Sequence, residues 1–536
     1  MQKFFTNQTK TITGAAVILG LASLGSRITA IIRDRIFAHQ FGAGNTLDVY
    51  YAAFRIPDFV FNLLIIGALS AGFIPILTKL LHQDKGEAWR VTSSILNILG
   101  IALLGLCGIL FLLTPQLTAI LVPGFDSAKQ AQITMLTRIM FLSPIILGLS
   151  SVVGGVLQSC KAFFIYALTP IMYNVGIIFG AVVFVPLFGI TGLAYGVVLG
   201  ALLHFFIQLP ALWHCGFQYR LIFDWKNRHV REMGRLMIPR AMGLAADQLN
   251  FFVTVILAST LGAGSLAIFQ LANNLQNVPI SLIGISFAQA AFPTMAAYLA
   301  EKNTPAMAVS FTNTLKHILF FIFPITVVII LLRFHIVRVL LGSGQFDWHA
   351  TTLTANTLAF FSVSLFAQCL THLLARTFYA LENTWIPFAI TLVTTVIDIG
   401  VSILLKQSLG IVGLAIGFSI AEVIQVILLW IMLRRQIPLF KEADILRMLA
   451  KMCFALITMG ITMEGTIFLL DHIVDTTTFF GVLAQGAVAG ILGLLTYAVL
   501  CFGLQVKEMI ELKMIFTQRF FKSAVVPAEI VNIQER

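Results

Sequence analysis

Apolar runs of about twenty residues, separated by short joints rich in glycine, proline or charge, recur from one end of this chain to the other. A helix needs about 20 apolar residues to cross a bilayer. The pattern predicts fourteen spans, near 11–33, 47–78, 91–114, 132–157, 163–186, 189–213, 236–260, 267–299, 312–333, 351–375, 385–405, 411–433, 449–470 and 479–503. The first is too long, and too polar at its far end, for a cleaved signal peptide, so it is expected to be retained. Prolines recur inside the second and eighth spans, Pro57 and Pro75 in one and Pro279 and Pro293 in the other. A proline inside a helix removes a hydrogen bond and bends the rod, so both spans are expected to bend.

The pattern is also duplicated. FGAGNTLDVYYAAF from Phe41 returns as LGAGSLAIFQLANNL from Leu261, and LFGITGLAYG ending at Gly196 returns as SLGIVGLAIG ending at Gly417. Gly42 and Gly262, Asp126 and Asp347, and Gly189 and Gly410 keep an offset of 220 or 221 residues. Each copy holds six spans, an even number, so both copies enter from the same side as parallel repeats. The expected fold is an all-α membrane protein of two parallel six-helix lobes plus two added helices. Its divisions are a first lobe over 1–213, a basic linker over 214–235, a second lobe over 236–440, helices 13 and 14 over 441–505, and a tail over 506–536. The stretch Val506–Lys522 mixes Met509, Ile510 and Phe516 with Lys507, Lys513 and Arg519, and reads either as an interfacial amphipathic helix or as a frayed tail. A duplicated bundle of this kind suits a transporter with a pathway between lobes.

Composition agrees. Of 536 residues 59% are hydrophobic and 11% charged, where an ordinary soluble chain carries about 25% charged residues. The net charge of +11 does not point to nucleic acid, because the basic residues cluster in alternate joints. Lys79, Lys85 and Arg90 share one side with Arg220, Lys226, Arg228, Arg231 and Arg235, and with Arg434, Arg435, Lys441, Arg447 and Lys451. The opposite joints hold few, such as Lys129, Arg338 and Lys406, together with Asp471 and Asp475. The positive-inside rule then places both termini in the cytoplasm. Six scattered cysteines without CxxC spacing and ten histidines without HExxH spacing predict no metal or other cofactor.

A charge near the bilayer centre costs ~2.5–3.5 kcal/mol on insertion scales, so its presence needs a reason. Arg27, Arg33 and Asp34 lie in the first span, Asp48 and Arg55 in the second, and Arg240 and Asp247 in the seventh; the eighth carries an amide row with Asn273 and Asn274. Arg27 with Asp34, Asp48 with Arg55, and Arg240 with Asp247 are each seven apart, on one helical stripe about 10 Å along the axis. That spacing suits charges facing one lumen. Arg33, Asp34 and Asp48 are also near enough to span ends to snorkel to water instead. Guanidinium groups in a dry cavity suit phosphate or carboxylate, hence an anionic, amphiphilic cargo. The single acids Asp398, Glu422 and Glu464 read either as local hydrogen bonders or as ion-coupling groups. Gly192, Gly196 and Gly200 read as close helix packing.

SRITAIIRDRIFAHQFGAGNTLDVYYAAFRIPDF from Ser26, GALSAGFIPIL from Gly67, VPGF at Val122, GQFD at Gly344 and FYALENTWIP at Phe378 resemble the MurJ (MviN) family. These are lipid II flippases of peptidoglycan synthesis in the MOP exporter superfamily. The resemblance runs through all fourteen spans and implies two six-helix lobes in a V, with two further helices forming a groove for a lipid tail. It implies a monomeric flippase in the bacterial cytoplasmic membrane that moves lipid II, an undecaprenyl-diphosphate-linked disaccharide-pentapeptide, by alternating access. Membrane potential would drive it, with an ion as a further source. Arg27, Arg33 and Asp34 match the family's SR…RD motif, and Asp48 and Arg55 its next acidic and basic positions. Two places depart. The basic pair after the first proline of the second span falls on Phe61 and Asn62, with the following acid on Ile66, and the Asp-Arg pair of the eighth falls on Asn273 and Asn274. Arg240 and Asp247 are expected to compensate. The alternatives are a polysaccharide-lipid flippase or a cation-coupled drug exporter on the same fold. The drug exporter is disfavoured by the arginines. A membrane transferase would need clustered carboxylates or histidines on one loop, and none cluster.

Overall fold

A computed structural model of the protein describes residues 12–62, 67–437, 440 and 442–521. Every element is a helix. In chain order they begin with α1 (Ile12–Phe41), α2 (Asn45–Phe61), α3 (Gly67–Gln83), α4 (Lys85–Leu121), α5 (Ser127–Met140), α6 (Leu142–Ser159) and α7 (Phe163–Phe179). Next come α8 (Thr191–Phe206), α9 (Leu209–His214), α10 (Arg228–Ser259), α11 (Ser265–Pro279), α12 (Ser286–Ala300), α13 (Thr304–Leu331) and α14 (Arg333–Leu340). The last are α15 (Trp348–Val363), α16 (Leu365–Ala380), α17 (Trp385–Leu409), α18 (Ile411–Gln436), α19 (Glu442–Asp471), α20 (Phe479–Gly503) and α21 (Lys507–Phe521).

Among the described residues, ten helical segments are long and apolar enough to cross a membrane, and α15 with α16, bent by 46°, makes an eleventh. The other three expected spans hold α1, α2 with α3, and α10. These are the segments that carry the intramembrane charges, which lower their apolarity. The 46° bend falls at Ser364, where there is no proline; in the eighth span the proline changes the winding instead. Pro279 ends α11 and is followed by a π-helical stretch, Ile280–Ile285. Proline has no N–H to donate and its ring crowds the carbonyl one turn back, so the local winding widens. Between Pro57 and Pro75, residues 63–66 lie outside the described residues, and with them the expected acidic position Ile66.

The chain forms two compact units; the first holds the whole first repeat with parts of the second, and the second unit holds the rest of the second repeat with the two added helices. The first comprises Met1–Leu275, Leu340–Thr357 and Thr391–Ala421; the second comprises Gln276–Val339, Leu358–Ile390 and Glu422–Arg536. In the first unit, α7 and α8 cross backbone to backbone. Gly176 meets Gly200, Gly180 meets Gly196, and Gly192 meets the Phe184–Val185 peptide, so a Cβ at any of them would overlap main chain. The spacing of small residues does what was expected of it.

At the end of this unit opposite Ile12, here called distal, loops from the two repeats touch through their backbones. Gly264, at φ +84°, lies against the Ala43 carbonyl, and Gly344, at φ +59°, against that of His39. The Gln345 N–H donates to the His39 carbonyl at 3.0 Å. Only glycine combines that backbone geometry with that proximity. The helices leaving this end start alike in both repeats. Asp126 Oδ1 accepts from Lys129 N at 2.8 Å to cap α5, and Asp347 Oδ1 accepts from Ala350 N at 2.7 Å to cap α15.

In the second unit, α19 and α20 pair along their length, with Gly493 admitting Met463. Gln485, 3% exposed, ties three helices: its amide donates to Ile467 O at 3.0 Å, and its carbonyl lies 3.0 Å from His335 Nε2 of α14. Lys451 Nζ donates to Leu504 O at 2.8 Å and so closes the end of α20. The tail helix α21 docks through Glu511, 3.2 Å from His317 Nε2 of α13.

Candidate functional site

Polar side chains of the first unit form a chain of hydrogen bonds across four helices, α7, α1, α11 and α2, carried to a fifth, α10, by a ring contact. It starts on α7, where the Asn174 carbonyl accepts from Arg33 Nη1 of α1 at 3.0 Å. Arg33 turns its other edge to the adjacent Asp34, with Nε and Nη2 at 3.0 and 2.8 Å from Oδ1. The second Asp34 oxygen accepts from Asn274 Nδ2 of α11 at 2.9 Å. One turn away on the same helix, Gln270 Nε2 donates to Asn274 Oδ1 at 2.8 Å. Gln270 in turn accepts from Arg55 Nη2 of α2. The far side of the Arg55 guanidinium is 5.0 Å from the ring centroid of Phe251 on α10, a cation–π contact.

Each link has a local cause. Arg33 and Asp34 are consecutive, so on a helix they point 100° apart, and the flexible arginine folds across to reach its neighbour. Gln270 and Asn274 are four apart and share a face. Arg33 is eight residues from the distal end of α1 and Gln270 five from that of α11, so the chain of bonds lies roughly 7–12 Å below the distal loops at 1.5 Å per residue. The neighbouring carboxylate that might have joined it, Asp48, does another job. It is 1% exposed, and its oxygens accept from Gly264 N at 2.6 Å and Ala267 N at 2.9 Å. The first turn of a helix leaves four N–H groups without intrahelical partners. Asp48 satisfies two of them on α11 from a different span, with the favourable end of the helix dipole.

The sequence-derived residues therefore sort as follows. Arg33, Asp34, Arg55 and Asn274 belong to the network, and Asn273 is buried beside it at 9% exposure. Arg27 is half-buried on α1. The expected pairing of residues seven apart is not what the structure shows: Asp34 bonds Arg33 and Asn274, and Asp48 bonds the start of α11. A shared stripe makes such pairs possible, but groups about 10 Å apart yield to partners within hydrogen-bond reach. Nor do Asp34, at 5% exposure, or Asp48 snorkel to water. The Arg240 and Asp247 side chains lie outside the described residues, although α10 runs through both positions. Asp398 of α17 is 4% exposed and accepts from Ser402 Oγ at 3.0 Å, with Asn250 of α10 as a second partner, which is local hydrogen bonding.

Two members were missed, Asn174 and Gln270. The signal for Asn174 was a lone amide in an apolar run, IMYNVGIIF; for Gln270 it was its place one turn before Asn274. Chemically, the network offers fork-shaped donors on Arg33 and Arg55 held by neutral amides and one carboxylate. An anion with several acceptor oxygens could exchange for Asn174 and Gln270 as their partner.

The profile described as lipid II flippase MurJ matches residues 37–488. The chain belongs to the lipid II flippase MurJ family. A probable lipid II flippase MurJ of Rhizobium tropici is 29% identical over 494 residues, covering 90% of this chain and 92% of that protein. The lipid II flippase MurJ of Burkholderia cenocepacia is 26% identical over 434 residues, covering 77% and 82%. Among solved structures, a lipid II flippase MurJ in an inward closed conformation superposes with a TM-score of 0.75 at 24% identity, covering 91% of this chain and 99% of that one. A MATE-family multidrug transporter of the MOP superfamily in an inward-facing conformation gives 0.66 at 17% identity, covering 80% and 99%. At these identities the structural likenesses speak for the fold, which this multi-pass helical chain shares with the family and with MATE transporters.

Proposed function

We propose that this protein flips lipid II from the inner to the outer leaflet of the cytoplasmic membrane for cell-wall synthesis. The observation that carries the reading is the family match over most of the chain. The buried guanidinium network supplies the chemistry such a cargo needs. In this reading there are fourteen spans, six in each lobe with α19 and α20 added for the polyprenyl tail, and the termini face the cytoplasm. The distal end then faces outward, and the network with the distal glycine contacts is its closure.

The cargo enters from the inside as a monomeric protein's ligand. Its diphosphate binds Arg27, Arg33 and Arg55, displacing Asn174 and Gln270, while Asp34, Asn273 and Asn274 line the path. Arg240 and Asp247 on α10 supply what Phe61, Asn62, Asn273 and Asn274 lack as polar or charged groups. Asp48 holds α11 to α2 until the anion loosens the bonds beneath it. The outside then opens and the head group leaves. An inside-negative potential favours that direction by ~2.3 kcal/mol per charge per 100 mV, without a resident cofactor.

The test is depletion of the protein followed by assay of lipid II on each membrane face, with the purified chain reconstituted into lipid II vesicles. Loss of outward lipid II in cells and its recovery in vesicles are expected. Outward exposure unchanged in both would reject the reading.

A further inference from the structure

The basic linker between α9 and α10 is not a free tether. Residues 217–224, between turns at Gly216 and Trp225–Lys226, run along α4 and are fastened to a single stripe of it. Ser93 Oγ accepts from Arg220 N at 3.2 Å and Ser94 Oγ from Asp224 N at 2.8 Å. Asn97 Nδ2 reaches two carbonyls, Arg220 O at 3.2 Å and Ile222 O at 3.0 Å, while its own carbonyl accepts from Tyr219 OH at 2.8 Å. Arg90 pairs with Asp224 at 2.9 Å, and Glu87 accepts from Asn227 Nδ2 at 2.7 Å. Positions 87, 90, 93, 94 and 97 share one helix face. α4 thus satisfies backbone groups of Arg220, Ile222 and Asp224, and leaves the apolar side chains of Leu221, Phe223 and Trp225 exposed.

Tyr219, Leu221, Phe223 and Trp225 are between 49% and 74% exposed, while Ile222 and Asp224 between them are half-buried. Beside Tyr219, Leu221 and Phe223 lies an open groove of about 460 Å³, lined by the exposed Ile101 and Leu104 of α4, Val153 of α6 and Phe205 of α8. Its polar rim is the bonded pair Asn97 and Tyr219. The basic side chains Arg220, Lys226, Arg228 and Arg231 are all exposed beside it, while the strap's one acid, Asp224, is taken by Arg90. Along α4 the order is Arg90, then Asn97 about 10 Å on, then Leu104 about 10 Å further. Charge, amide and apolar groups therefore succeed one another along α4.

We propose that this is a seat for an anionic phospholipid of the leaflet that borders the strap, with one acyl chain in the groove and the phosphate against Arg220 and Lys226. Three observations favour this occupant. The volume falls within the range of single-ligand pockets. The positive charge sits at the Arg90 end. The exposed aromatic row is of the kind that anchors at a lipid–water boundary. The site is independent of the lipid II reading and of the network beneath the distal loops. Its effect would be to fix the strap, and with it the Asn227-capped start of α10, to α4.

The experiment uses the full chain in nanodiscs with photoreactive phosphatidylglycerol, or matched phosphatidylcholine, carrying a diazirine in one acyl chain. Adducts are mapped by peptide mass spectrometry. Phosphatidylglycerol should label residues 97–104 and 217–225 at least ~5-fold above phosphatidylcholine. Arg220→Gln with Lys226→Gln should abolish that preference. Gly100→Leu, which adds side chain at the groove wall where a Cβ meets only Leu149, should suppress labelling by both lipids; Leu112→Trp, on the exposed face of α4 outside the groove, should suppress neither. The wild-type comparison of the two lipids holds whatever the variants do to folding. Equal labelling by the two lipids, or adducts spread evenly over the spans, overturns the proposal. So does loss of labelling on adding excess undecaprenyl phosphate, which would assign the groove to an isoprenoid tail.

Discussion

Asp48→Ala tests whether one carboxylate of the second span holds the start of α11. The side chain is 1% exposed and accepts two backbone N–H groups, at 2.6 and 2.9 Å. Hydrogen bonds to a charged group contribute about 1.5–3 kcal/mol each, and truncation also strands two buried donors. Water reaching the vacated space at the loop end recovers part of this, so the net loss is about 3 kcal/mol. At 1.4 kcal/mol per factor of ten, the amides of residues 261–268 should exchange with solvent ~100-fold faster. Amides of α7, whose seam with α8 is untouched, should keep their rates. Hydrogen-exchange mass spectrometry of the detergent-solubilised chain reads both segments in one measurement. Asp48→Asn keeps one acceptor oxygen and should fall between. Less than a threefold change at 261–268 in Asp48→Ala would refute the claim that this carboxylate fastens α11.

Arg55→Ala removes a guanidinium that bonds Gln270 and lies over Phe251; losing one charge-assisted contact of about 2 kcal/mol should lower lipid II transport in reconstituted vesicles ~30-fold. Arg27→Ala should do the same, and Arg240→Ala should also impair transport; an Arg240→Ala protein as active as the wild type would show that α10 does not compensate for the amides of α11. Gly264→Ala should lower the thermal midpoint more than Gly410→Ala, because both pay the left-handed backbone cost of about 1–2 kcal/mol but only Gly264 abuts main chain. Equal losses would remove the Ala43 contact from the account. Collapsing the membrane potential with ionophore should slow outward lipid II exposure, given ~2.3 kcal/mol per charge per 100 mV; undiminished flipping would leave the drive to an ion gradient.

Most of the helical frame could be read from the sequence because burial in lipid leaves long apolar runs, and α4, α13, α19 and α20 are of that kind. The glycine seam of α7 and α8 was equally plain, since close approach needs small residues at a fixed spacing. What the sequence concealed was partner choice. Spacing along one helix put Asp48 with Arg55 and Arg27 with Asp34. The actual partners of Asp48 are N–H groups of a helix that starts more than two hundred residues later, and no one-dimensional pattern ranks them. Asn174 and Gln270 were overlooked for a related reason, being neutral amides whose importance comes from the arginines they face. The strap was hidden by its charge. Arg220, Lys226 and Arg228 mark a cytoplasmic joint so strongly that the two-residue alternation of Phe217, Tyr219, Leu221, Phe223 and Trp225 was passed over.

The crossing of α7 with α8 also has a mechanical meaning. Where Gly176, Gly180, Gly196 and Gly200 meet, main chain lies against main chain, with the Tyr173 ring as the side chain alongside. Two rods joined in this way cannot slip or roll against each other in small steps. A rearrangement that moves one of them carries the other with it at this contact.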